Sequence, residues 1–86
     1  MIKLTKENYW QEIEDSKLSQ AAKGYLKEMV GACLKQLIPP MVNNEAEFNE
    51  LAAEIGQVLI DQETFQLVKL PMNDEVSFRI KLIKAD

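Results

Sequence analysis

Chemistry in a short chain usually rests on histidine, on paired thiols or on carboxylates forced together, so those residue types come first. The 86-residue sequence contains no histidine and one cysteine. This removes the commonest general base, the commonest metal ligand and every Ser-His or Cys-His nucleophile pair. Cys33 stands among Met29, Val30, Leu34 and Leu37, an apolar setting that favours a packed thiol over a reactive thiolate. With no second cysteine it cannot close an intrachain disulfide, and one Cys without His makes a zinc site implausible.

Three scattered glycines cannot build a phosphate-cradling loop, and no segment has the alternating carboxylates and central glycine of a calcium loop. Fourteen acidic residues always offer candidate acid/base pairs. None of them is marked by an apolar pocket that would push two pKa values apart. The sequence therefore designates no catalytic residue, no cofactor site and no metal site, and the chain is expected not to be an enzyme.

The charge pattern speaks instead of surfaces. Residues 1–40 carry six lysines and five acids, residues 41–63 six acids and no base, and residues 65–86 four bases and three acids, for a net charge of −4. The overall sign disfavours general binding to nucleic acid, whose phosphates an acidic protein repels. On a helical wheel Glu47, Glu50, Glu54 and Asp61 fall together beside an apolar stripe, so a negative ridge bordering a hydrophobic seam is expected. Tyr9 and Trp10, of types enriched at binding hot spots, lie on a short terminal helix that cannot fully enclose them. These six residues form the candidate partner-binding set.

The elements that must position them follow from periodicity. Thr5 can cap a short helix carrying Tyr9, Trp10 and Ile13 on one side, with Leu4 as a hydrophobic staple. After a break at Asp15-Ser16, residues 18–38 repeat Ala22, Leu26, Met29, Val30, Cys33 and Leu37 at helical spacing. The apolar sector is wide, roughly 220° at about 100° per residue, because Ala21, Tyr25, Ala32 and Leu34 extend it. Gly24 and Gly31 fall on the polar side, where each costs about 1 kcal/mol relative to alanine; close approach of a neighbouring backbone and ordinary sequence drift are the two readings. Pro39-Pro40 must end this helix.

Asn44 with Glu47 resembles a capping box, and Phe48, Leu51, Ala52, Ile55, Val58 and Leu59 predict a third helix to about Ile60. From Thr64 the period changes to two. Val76, Phe78, Ile80 and Leu82 alternate with Ser77, Arg79 and Lys81, which predicts a strand paired with residues 65–70 through a connection over 71–75. An isolated hairpin is marginal in water, so it must pack on the helices; Ile2 and Leu4 offer a third strand, in competition with the staple role of Leu4.

The expected architecture is thus α+β, a single domain over residues 1–86 with about three N-terminal helices followed by a C-terminal antiparallel β-hairpin packed on them. With no apolar stretch of bilayer length and no secretory leader pattern, the expectation is a cytoplasmic protein that does not enter a membrane. The function expected by elimination is a small non-enzymatic protein-interaction module of accessory, regulatory or inhibitor type, docking through apolar anchors with an acidic rim. Two alternatives are a structural homodimer through the central helix or hairpin edge, and an acidic inhibitor imitating nucleic-acid phosphates.

Overall fold

A computed structural model describes residues 1–73 and 77–85. In chain order the elements are β1 (Ile2–Leu4), α1 (Tyr9–Glu14), α2 (Gln20–Lys35), β2 (Met41–Val42), α3 (Glu45–Ile55), β3 (Gln57–Ile60), β4 (Glu63–Pro71) and β5 (Phe78–Lys84). The strands form one five-stranded sheet in the order β1-β3-β4-β5-β2, antiparallel except where β1 runs parallel to β3. The α+β class and the three helices are as the sequence predicts. Among the described residues, no helix is long and apolar enough to cross a membrane.

The sheet is larger than a hairpin with an added strand, and the difference begins at Gly56. The predicted helix over residues 44–60 stops at Ile55, because Gly56 takes φ 65, ψ −131 and turns the chain out of the helix. That region of backbone space is open essentially to glycine alone. Val58 and Leu59 therefore belong to β3 and not to the helical stripe. Asp61 and Gln62 follow with φ of 47 and 74, the paired positive values used by tight two-residue hairpins, and β4 returns antiparallel to β3.

The N-terminal segment is a strand, and Leu4 is not a staple on α1. Its carbonyl accepts the Asp61 N–H at 3.1 Å, and its side chain is buried in the core. β1 joins the sheet through β3, with Leu4 opposite Ile60, and does not extend the C-terminal hairpin. Thr5 caps a turn ahead of α1, accepting the Asn8 N–H on Oγ1 at 3.2 Å. Its own N–H and hydroxyl both donate to the Glu12 carboxylate, at 2.7 and 3.0 Å.

α2 is shorter at both ends than its apolar spacing suggests. Ser19 is its N-cap, with Oγ accepting the Ala22 N–H at 3.2 Å. Gln36, left-handed at φ 56, ends it, a left-handed closing residue of the kind common at helix C-termini, three residues ahead of Pro39-Pro40. Asn44 caps α3 as predicted, accepting the N–H groups of Ala46 and Glu47 at 2.8 and 3.4 Å. The alternation in β5 runs through Phe78, Ile80 and Leu82; Val76 lies outside the described residues.

Register sorts the strand side chains onto two faces. Leu4, Val42, Val58, Ile60, Ile80 and Leu82 share a face and pack with Ile13, Leu26, Met29, Leu51 and Ile55 of the helices in one core. Each fully buried aliphatic chain of this kind contributes about 1.5–3 kcal/mol relative to exposure. Phe48 of α3 meets Phe78 of β5 edge-on, with ring centroids 5.7 Å apart, which closes the seam between helix and sheet. The helices thus cover one face, and among the described residues no helix covers the opposite face.

Candidate interaction surface

The six residues singled out by the sequence do not come together. Tyr9 is only 8% exposed. Its hydroxyl lies 3.6 Å from where a Cβ on Gly31 would stand, with Leu37 Cδ1 at 3.8 Å from the same point, so Gly31 admits side chains and not a neighbouring backbone. A Cβ on Gly24 would meet open space. Trp10 turns away from Tyr9 and Ile13 and is 58% exposed. Lys27 Nζ stands 4.5 Å from its ring centroid and also pairs with the Glu14 carboxylate. This cation-π contact holds the indole against α2 without burying it.

The acidic residues are likewise divided. Glu47 accepts the Tyr25 hydroxyl at 2.7 Å, so it joins α3 to α2 and does not reach back to complete a capping box. Glu54 accepts the Ser19 N–H and, at 2.9 Å, the Ser19 hydroxyl, a second link between the same helices that spacing alone does not reveal. Glu50 is exposed on α3. Asp61 is not on the helix at all: it sits in the β3–β4 turn, where its carboxylate accepts the Lys6 N–H at 3.4 Å. The wheel projection that joined it to the glutamates fails because the helix ends at Ile55.

Burial and the hydrogen bond to Glu47 together push the Tyr25 phenol above its ordinary range, the hydrogen bond being the larger cause. At the other end of α3, Lys69 donates to Glu45 at 2.7 Å and lowers that carboxyl's pKa. The same ammonium lies 5.5 Å from the ring centroids of Phe48 and Phe78. Burial raises the Cys33 thiol pKa, outweighing the opposing fields of Lys81 and Lys6. Among the described residues, no group of three or more His, Cys, Asp or Glu side chains is arranged to hold a metal ion.

What the sequence reading missed is the connection between α2 and β2. Leu37 is 58%, Ile38 78% and Met41 52% exposed, although their types suit a core. Helical spacing predicts Leu37 in the buried stripe of α2, and the positive φ at Gln36 removes it from that stripe. Pro39 and Pro40 hold the connection extended, and Arg79 Nη1 donates to the Pro39 carbonyl at 2.7 Å. On one side is an open hollow lined by Cys33, Gln36, Leu37, Pro39 and Lys81; on the other is one lined by Gly24, Tyr25, Glu28, Pro40 and Met41. Glu28 is the one carboxylate lining these two hollows. The signal in the sequence was Leu-Ile placed immediately before Pro-Pro, where helical burial cannot continue.

Comparison with known proteins finds no matching family model, no matching curated protein and no matching solved structure.

Proposed function

We propose that the protein is a small non-enzymatic interaction module of accessory, regulatory or inhibitor type. The observation that carries this reading is the run of exposed apolar side chains at Leu37, Ile38 and Met41 on a connection stiffened by Pro39-Pro40. Contiguous exposed apolar surface marks interfaces, and covering it contributes about 25 cal/mol per Å². A proline-stiffened anchor also loses little conformational freedom on docking. Trp10 is a further apolar anchor, and Glu50, flanked by the engaged Glu47 and Glu54, supplies the acidic part of the surface. Imitation of nucleic-acid phosphates has less support, because Asp61 lies away from the glutamates of α3.

The reading is tested by placing a photo-crosslinking amino acid at Ile38, with Gln62 in the β3–β4 turn as the control, and expressing the full chain in its native cell. A discrete adduct with a single partner protein from position 38, absent from position 62, is the expected result. Equal adducts from both positions, or adducts solely with a second copy of the chain, would contradict it.

A further inference from the structure

We draw no further inference here: the strongest candidate, the apolar face of the sheet around Leu59, Val68 and Leu70 that no helix covers among the described residues, carries nothing, because Arg79 beside it is held by the Pro39 carbonyl and nothing in the structure shows what covers it.

Discussion

The two faces of one sheet are built from the same strands and yet are buried to very different degrees. On the covered face Val58, Ile60, Ile80 and Leu82 are closed off by three helices. On the other, Leu59, Val68, Leu70 and Ile83 remain partly or largely accessible. In a chain this small the covered face must supply most of the folding energy. Apolar residues on the second face are therefore expected to contribute less to folding, and that difference can be broken or sharpened by substitution.

The largest contrast should come from truncating one residue on each face. Ile80→Ala leaves a cavity in the core and is expected to cost about 2–5 kcal/mol. Val68→Ala is expected to cost about 1 kcal/mol or less. Urea unfolding of the two variants measures both, and similar losses would mean that the second face is also part of the core.

Next is the joint that carries the chain from helix to sheet. Gly56→Ala has room for the methyl group, but its φ of 65 makes the backbone strained, so a loss of about 1–3 kcal/mol is expected in the same unfolding experiment. The corresponding change at Gly24, where a Cβ also meets open space on α2, should stabilise by up to about 1 kcal/mol. Ser19→Ala removes both an N-cap and the hydroxyl bond to Glu54, and should lower stability by about 1 kcal/mol in the same experiment.

The smallest effect is one of pH. The Tyr25 phenol has a folded-state pKa above its unfolded one. The native state therefore holds its proton more tightly, and this stabilisation is complete below about pH 10. It is lost as pH rises through the raised folded value. Thermal unfolding of the parent protein should fall more steeply above pH 10 than that of Tyr25→Phe, which keeps the ring and lacks the titrating group.

Much of the helical layer was legible in the sequence because its signals are local. Asn44 announces a cap, Pro39-Pro40 a stop, and Ala22, Leu26, Met29 and Val30 a buried stripe. The β4–β5 pairing was legible for the same reason, since alternation and proximity in the chain agree. β3 was misread because Leu51, Ile55, Val58 and Leu59 satisfy helical spacing while Val58 and Ile60 equally satisfy a period of two; Gly56 decides between them. β1 could be suspected, but its parallel partner is more than fifty residues away, and β2 is two residues long, too short for any periodicity. The candidate site was the least legible part. Trp10 is exposed as its position on a short helix suggested, but the exposure of Leu37 and Ile38 depends on one left-handed residue, Gln36, and the open face exists only once the strand order is known.

The most direct test of the central claim, that the exposed apolar surfaces serve a different protein and not a second copy, is light scattering of the purified chain after size exclusion, over a range of concentrations at low and high salt. A monomer of 9.8 kDa at both salt concentrations is the predicted result. A stable dimer that persists in high salt and dissociates on Ile38→Asp or Val68→Asp would contradict it, because the same surfaces would already be occupied.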